Sequence, residues 1–243
     1  MATQLTPTWM EKPNLNQQSV PTGLEYLSIL DELSVIQRKE CLEIFTGWET
    51  RNRFRILNKN GQQCYFAQEE SSVMMRLCCG KFRGFVLHIT DNTDTEVIRI
   101  RREFKCSSGC SCCANNDYCA FLLTVESPPG QVIGYVRQEA YCIKMHLTIR
   151  DNEFKPILSI QGPYCVWNAG ACCDTQFDIM GNDGITPIGS VRKVFGGLMK
   201  EMFTNADNFA VTFPQDLDVK LKAVLLAATF LIDFMYFEQD NSN

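Results

Sequence analysis

The amino-acid sequence predicts a mainly β fold, in which an antiparallel sheet large enough to close on itself is followed by one apolar helix. Two observations predict it. Five hairpin-like units, each with two apolar runs around a turn signal, recur at broadly regular spacing. Near the C-terminus, 223–237 reads AVLLAATFLIDFMYF, which is apolar around the whole circumference of a helix apart from Asp233.

The composition allows a large packed core and excludes several classes of protein. Hydrophobic residues make up 45% of the 243 residues and charged residues 21%, which excludes disorder for most of the chain. The net charge of -5 argues against a nucleic-acid binder and against simple adsorption to anionic lipid. The sequence contains neither a nucleophile–base pair at recognisable spacing nor a phosphate-binding glycine loop, so we do not expect an enzyme.

Residues 1–22 form a short polar segment that we expect to be disordered. The segment has no basic start followed by an apolar run, so it is not a secretory signal, and we expect the chain to stay in the cytosol. It is a candidate site for protein partners. Leucines then recur every third residue from Leu24 to Leu33, with Ile29 and Ile36 beside them, which predicts a helical or partly helical apolar stripe.

The five hairpins follow one another along the middle of the chain. Each pairs two short apolar runs across a turn rich in Asn, Asp, Gly or Pro. Their paired runs are 53–56 with 64–67, 86–90 with 96–100, 122–126 with 132–136, 147–150 with 156–160, and 176–180 with 188–194. An antiparallel sheet of this size can close, and closure removes exposed strand edges.

The C-terminal apolar run allows two interpretations. Its fifteen residues would span about 22 Å as a helix, against roughly 30 Å for a bilayer core, and Asp233 would be costly in lipid. These points favour a helix buried inside the closed sheet. The alternative is a single membrane span: Lys220 and Lys222 precede the run and Glu238 follows it, which would keep the N-terminus cytoplasmic.

Thirteen cysteines are unusual for a chain expected in a reducing compartment. They cluster, with pairs at Cys78–Cys79 and Cys172–Cys173 and a group that runs from Cys106 to Cys113. Such clusters indicate metal ligation, redox chemistry or S-acylation rather than disulfides.

The chain from Pro21 to Glu238 resembles the phospholipid scramblase family in a series of short motifs that keep the family's order. The opening PTGLEYLS at 21–28 is similar to the family's PPGLEYLS. Further matching segments are ITDN at 89–92, PPG at 128–130, IGYV at 133–136, FTNADNF at 203–209, FP at 213–214, DLDV at 216–219 and FLIDFM at 230–235. Each motif is weak alone, and their shared order makes the resemblance specific.

This resemblance implies a tubby-like domain, a closed twelve-stranded β-barrel around a hydrophobic C-terminal helix. The domain would cover 23–238, with the helix at 217–238 and a polar tail at 239–243. Family members are also commonly described as single-pass proteins through the same helix, which here would give a type II topology.

The resemblance also implies palmitoylation at a cysteine-rich run, here Cys106, Cys110, Cys112 and Cys113. This run is sparser than the family's CCCPCC, because Gly109 and Ser111 interrupt it. Two alternatives remain open from the residues themselves: buried small hydrophobes, or a zinc site, although regular CxxC pairs are absent.

A calcium site is implied in the segment 205–216, NADNFAVTFPQD. Its ligands would come from alternate positions, namely Asn205, Asp207, Phe209, Val211, Phe213 and Asp216. Only Asn205, Asp207 and Asp216 offer side-chain oxygens. Alternatively, the three apolar positions belong to a strand, and Asp216 caps the following helix.

The function that the resemblance implies is calcium-dependent scrambling, the non-selective movement of phospholipids between bilayer leaflets without ATP. The cofactors would be calcium and covalent palmitate, the partner a phospholipid membrane, and the location the cytosolic face of the plasma membrane. The alternative is a membrane-tethered lipid-binding adaptor or regulator without transport activity. A single short apolar helix offers no obvious hydrophilic path for headgroups, and this favours the alternative.

Overall fold

The computed structural model describes residues 8–13, 20–38, 52–105, 111–141, 144–164, 175–194 and 208–237. Twelve strands are β1 Glu32–Arg38, β2 Arg53–Leu57, β3 Gln63–Glu70, β4 Phe85–Thr90, β5 Glu96–Arg102, β6 Leu122–Glu126, β7 Val132–Gln138, β8 Lys144–Asp151, β9 Pro156–Tyr164, β10 Thr175–Met180, β11 Pro187–Val194 and β12 Asn208–Thr212. Three α-helices are α1 Glu25–Ile29, α2 Val73–Cys79 and α3 Val219–Ile232, and α3 continues as a π-helical turn over Asp233–Phe237.

The strands form one closed antiparallel barrel, as the sequence predicts. Each strand pairs with its neighbours in the chain, and β1 pairs with both β2 and β12 to close the ring. All five predicted hairpins are confirmed, as β2–β3, β4–β5, β6–β7, β8–β9 and β10–β11.

The stripe from Leu24 to Ile36, predicted to be helical or partly helical, is helical only in its first part. Helix α1 ends at Ile29, and Glu32–Arg38 is a strand. Within this strand Leu33 and Val35 are buried and alternate with more exposed neighbours, which is the period of a strand with one face in the core. The spacing of the leucines did not reveal this change from the period of a helix to that of a strand, because Leu33 fits both patterns.

The two ends of the barrel differ. At one end, called the turn end, the five hairpins close through short turns. Asn58, Asp91 and Asp151 each follow or end a strand, and their side-chain oxygens accept backbone N–H groups two and four residues later, at 2.9–3.2 Å. The connections that follow β1, β3, β5, β7, β9 and β11 lie at the opposite end, called the loop end, and all of them except the β7–β8 connection are longer than the turns.

Helix α3 enters at the turn end and runs through the barrel. Each of its residues from Lys222 to Ile232 is buried. Phe230 packs against Phe54 with ring centroids 4.9 Å apart, and Phe234 stacks on Phe85 at 4.4 Å near the loop end. The enclosed-helix interpretation is therefore confirmed. Over the described residues, none of the helices combines the length and the apolar character needed to cross a membrane.

Two polar residues, Asp218 and Lys222, hold the start of α3 at the turn end. Asp218 is the N-cap, and its Oδ1 accepts the N–H groups of Lys220 and Leu221 at 2.9 and 3.2 Å. The buried Lys222 Nζ donates to the carbonyl oxygens of Leu27, Leu30 and Gln215 at 2.7–2.9 Å. The ammonium therefore ties α1 to the β12–α3 connection.

Residues 8–13 lie against the turn end, although the sequence places them in the segment expected to be disordered. The Met10 N–H donates to the Gln63 carbonyl at 2.9 Å, and the Gln63 N–H donates to the Thr8 carbonyl at 3.0 Å. The domain boundaries at 22/23 and 238/239 stay a prediction.

Candidate functional site

The connection between β5 and β6 carries the predicted acylation cysteines. Cys112 and Cys113 lie in a short 3-10 helix, Ser111–Cys113, and both are exposed. Cys106 and Cys110 lie outside the described residues. Exposure of Cys112 and Cys113 provides the access that thioacylation needs, and it does not fit the alternative of buried small hydrophobes.

The zinc alternative finds no support in the described part of the chain. There, the structure holds no group of three His, Cys, Asp or Glu side chains close enough to share a metal ion. Of the four predicted cysteines, only Cys112 and Cys113 lie in that part of the chain.

Contacts with the barrel fix the described part of the β5–β6 connection. Arg137, at the end of β7, donates from Nη2 to the Ala114 carbonyl at 3.1 Å and to Asp117 Oδ1 at 2.8 Å. The Arg137 guanidinium holds the pKa of Asp117 below its ordinary value. Phe82, just before β4, stacks on Phe121 with centroids 6.3 Å apart. The exposed thiols are therefore presented at a defined edge of the barrel.

Five of the six described cysteines lie in connections at the loop end. They are Cys78 and Cys79 after β3 and Cys112, Cys113 and Cys119 after β5, whereas Cys64 lies in β3. The other seven cysteines lie outside the described residues. The sequence showed the clusters, and the strand order shows that the described cysteines outside β3 share one end of the barrel.

Helix α2 adds a third exposed thiol to this end. Cys78 is exposed, and Met74 retains 70% of its accessible surface. The sequence pattern singled out the Cys78–Cys79 pair but assigned no role to it. Its position beside the β5–β6 connection became visible only from the order of strands β3 to β6.

The predicted calcium segment falls partly on β12. Phe209, Val211 and Phe213 are buried with their side chains in the core, which agrees with the strand alternative. Strand β12 pairs with β1 on one side and β11 on the other. Asp216 is exposed in the connection to α3, and Asn205 and Asp207 lie outside the described residues.

Asp216 does not cap α3, contrary to the alternative drawn from the sequence. Asp218 does so instead, because the helix begins at Val219. Asp216 lies near the ammonium of Lys222: burial lowers the pKa of Lys222, and the negative charges of Asp31 and Asp216 oppose that effect. One candidate calcium ligand is therefore the chain neighbour of Gln215, whose carbonyl accepts a hydrogen bond from the Lys222 ammonium at 2.7 Å.

Buried charges near the loop end were not predicted. Arg83 and Glu69 are both fully buried, and two hydrogen bonds join them, from Nε at 2.7 Å and Nη2 at 3.0 Å. Arg102 donates to the Arg83 carbonyl and packs over the rings of Phe85 and Phe121. Burial alone would raise the pKa of Glu69, but its hydrogen bonds, chiefly from Arg83, lower it overall.

Comparison with known proteins decides the family. The family model described as Scramblase matches residues 10–239, nearly the whole chain. The chain belongs to the scramblase family. This membership confirms the resemblance found in the sequence motifs.

Named relatives of this chain come from several mammals. The chain is 42% identical over 234 residues to human phospholipid scramblase 1, covering 96% of this chain and 71% of that protein. It is 41% identical over 230 residues to bovine phospholipid scramblase 2, covering 95% and 76%. It is 40% identical over 221 residues to human phospholipid scramblase family member 5, covering 90% and 79%. No solved structure matches the chain.

Proposed function

We propose that this scramblase moves phospholipids between the leaflets of a bilayer when calcium is present, without ATP and without selecting a headgroup. Family membership over residues 10–239, with relatives named phospholipid scramblases, carries the proposal. The protein acts as a lipid transporter and not as an enzyme.

Membrane attachment in this proposal comes from the loop end. Palmitate on Cys106, Cys110, Cys112 and Cys113 anchors the barrel to the cytosolic face of the plasma membrane. Two or more acyl chains are needed for stable anchoring, because one chain gives only marginal binding. The enclosed position of α3 supports anchoring by thiols, since the helix packs its apolar surface against the strands rather than lipid.

Calcium in this proposal binds the segment 205–216, which contains β12 and the start of the β12–α3 connection. Asn205, Asp207 and Asp216 supply side-chain oxygens, and Phe209, Val211 and Phe213 could supply only carbonyl oxygens. With two carboxylates and the Lys222 ammonium nearby, the site is weak, with a dissociation constant on the order of 10⁻⁴–10⁻³ M.

The packed barrel interior favours a second candidate, a membrane-tethered adaptor that binds lipid without moving it. Leu225, Ala228 and Leu231 are fully buried in the centre of the barrel. A headgroup could not pass through this interior, so any path for lipid must follow the outside of the protein. An adaptor needs no such path.

Reconstitution separates the two candidates. The purified, acylated protein is placed in vesicles with fluorescent lipid in both leaflets, and a membrane-impermeant reductant bleaches the outer leaflet. A scramblase exposes inner-leaflet lipid after calcium is added, so bleaching proceeds toward completion. Bleaching that stops at the outer-leaflet fraction, with the protein shown to be membrane-bound, supports the adaptor.

A further inference from the structure

The outer wall of β1 and β2 carries three arginines where these strands meet the loop end. Arg38 and Arg53 are directly paired across the two strands, and Arg55 is paired with Ile36. Because Leu33, Val35 and Phe54 face the core, Arg38, Arg53 and Arg55 lie on the outer face. These three residues are called the arginine patch.

The patch concentrates positive charge at a cost in stability. Like charges directly opposite each other on neighbouring strands repel. Arg55 is also desolvated, since it retains only 9% of its accessible surface. Burial lowers the pKa of Arg55, and the nearby charge of Arg38 lowers it further.

No carboxylate balances Arg38 or Arg55 in the part of the chain that the structure describes. There, neither guanidinium forms an ion pair or a hydrogen bond. Across β2 and β3, the residue paired with Arg55 is Phe66, which brings no charge.

Other buried arginines of the barrel do have partners. Arg83 binds Glu69 at 2.7 Å, and Arg137 binds Glu139 at 2.6 Å. Arg102 donates to the Arg83 carbonyl at 2.7 Å. A buried, unpaired guanidinium is unfavourable unless an anion reaches it. Among the described residues, Arg55 therefore lacks an anionic partner.

We propose that the arginine patch binds the anionic headgroup of a phospholipid in the membrane that the loop end faces. Guanidinium groups bind phosphate oxygens in pairs of parallel hydrogen bonds, which suits neighbouring arginines. A bilayer lipid is the occupant because the patch lies at the same end of the barrel as the exposed thiols of Cys78, Cys112 and Cys113. The inference rests on the proposed function for the presence of that bilayer.

The surroundings of the patch extend its positive charge along the outer face. Arg192 is exposed on the outer face of β11, and it is paired with Ala210 of β12, which is in turn paired with Ser34 of β1. Arg192 thus lies on the same outer face, two strands from β1. This local positive wall explains how a chain with a net charge of -5 could attract anionic lipid.

Vesicle sedimentation tests the proposal directly. The 243-residue chain is mixed with vesicles of phosphatidylcholine alone or with added phosphatidylserine. We expect phosphatidylserine-dependent binding that weakens with salt and falls about fivefold for each of Arg38→Gln and Arg55→Gln. Two control variants should change binding little. One is Arg101→Gln, because Arg101 lies on the outer wall but is paired with Glu126 at 3.3 Å, and the other is Lys155→Gln, at an exposed position of the turn end.

Stability measurements show whether a loss of vesicle binding results from unfolding of the variant. Arg55→Gln should leave the urea midpoint unchanged or raise it, because the substitution removes a buried repulsive charge. Arg38 is at an exposed strand end, so Arg38→Gln remains informative if the Arg55 variant fails to fold.

Several outcomes would overturn the inference. One is that both control variants weaken binding to phosphatidylserine vesicles as much as the patch variants do. Another is that the patch binds inorganic phosphate or soluble phosphoserine while the protein does not bind vesicles. The last is patch-dependent binding of a DNA duplex instead of vesicles. Failure of the proposed function is distinguishable, because patch-dependent vesicle binding without lipid scrambling would sustain the inference while contradicting transport.

Discussion

Single polar residues at the turn end hold α3 in place, and the two aspartates before the helix have different roles. Asp218 caps the helix with hydrogen bonds of 2.9 and 3.2 Å, whereas Asp216 is exposed. We expect Asp218→Ala to lower the free energy of unfolding by about 1 kcal/mol, and Asp216→Ala to change it by less. Urea denaturation followed by circular dichroism measures both. An equal loss in the two variants would contradict the assigned cap.

The buried Glu69–Arg83 pair gives a pH-dependent prediction. Glu69→Gln leaves the Arg83 charge uncompensated, so we expect a loss of roughly 3–5 kcal/mol near neutral pH. Because the pKa of Glu69 is lower in the folded protein than in the unfolded chain, the carboxylate stabilises the fold fully above the unfolded pKa of about 4.3. That stabilisation is lost as the pH falls through the folded pKa.

Urea denaturation of wild type and Glu69→Gln across this pH range checks the sign. The difference between them should be constant near neutrality and should shrink in acid. Glu153→Gln, at an exposed turn position, is the matched control and should show no such convergence. A difference that stays constant into acid would show that the carboxylate charge is not what stabilises the fold.

At the scale of elements, α3 is the core of the barrel. Phe230 is fully buried and packs on Phe54. We expect Phe230→Ala to cost about 3–5 kcal/mol, and Leu226→Asp to prevent folding, because a buried unpaired charge has no partner there. Lys220→Ala, at an exposed position of the same helix, is the control. A loss for Phe230→Ala no larger than that of the control would contradict the enclosed helix.

The segment 205–216 carries the calcium prediction. Asp207→Asn and Asp216→Asn each remove one of very few formal charges and should shift calcium binding to higher concentration. Asn205→Asp should shift it to lower concentration, because an added carboxylate attracts the cation. Calorimetric titration measures the three variants, with folding checked by circular dichroism. Isotherms identical to wild type in all three would leave the segment a strand and a connection only.

The hairpins were predictable because their turn signals are local in the sequence. Strand pairing between distant segments was not predictable. The Asn58 turn lies within a few residues of both strands that it joins, so its hydrogen bonds are implicit in the sequence. Strand β1 depends instead on pairing of Glu32 with Thr212 near the other end of the chain. Nothing near Glu32 signals that partner, and the leucine spacing favoured a helix.

Like the fold, the candidate sites were predictable only in part. The cysteine cluster and the calcium segment came from motif resemblance, which gives positions but no neighbours. The exposure of Cys112 and the ammonium of Lys222 near Asp216 both depend on contacts between distant segments. The arginine patch has the same origin, since Arg38 and Arg55 face outward together only after β1 pairs with β2.

At the scale of the whole molecule, the barrel has two structurally different ends. The turn end closes short hairpins and anchors the start of α3. The loop end carries the exposed thiols of Cys78, Cys112 and Cys113, and the arginine patch lies beside it. The central claim is that the protein meets the bilayer through its loop end while α3 stays enclosed by the strands.

Tryptophan quenching by brominated lipid tests this orientation most directly. Trp9 is paired with Gln63 at the turn end, and Tyr118 in the β5–β6 connection retains 78% of its accessible surface. In a background with Trp48 and Trp167 replaced by Phe, one variant keeps Trp9 alone, and the other carries Tyr118→Trp with Trp9→Phe. The acylated protein on vesicles with brominated acyl chains should show strong quenching of the Tyr118→Trp variant and little quenching of Trp9. Equal quenching, or stronger quenching of Trp9, would contradict docking through the loop end.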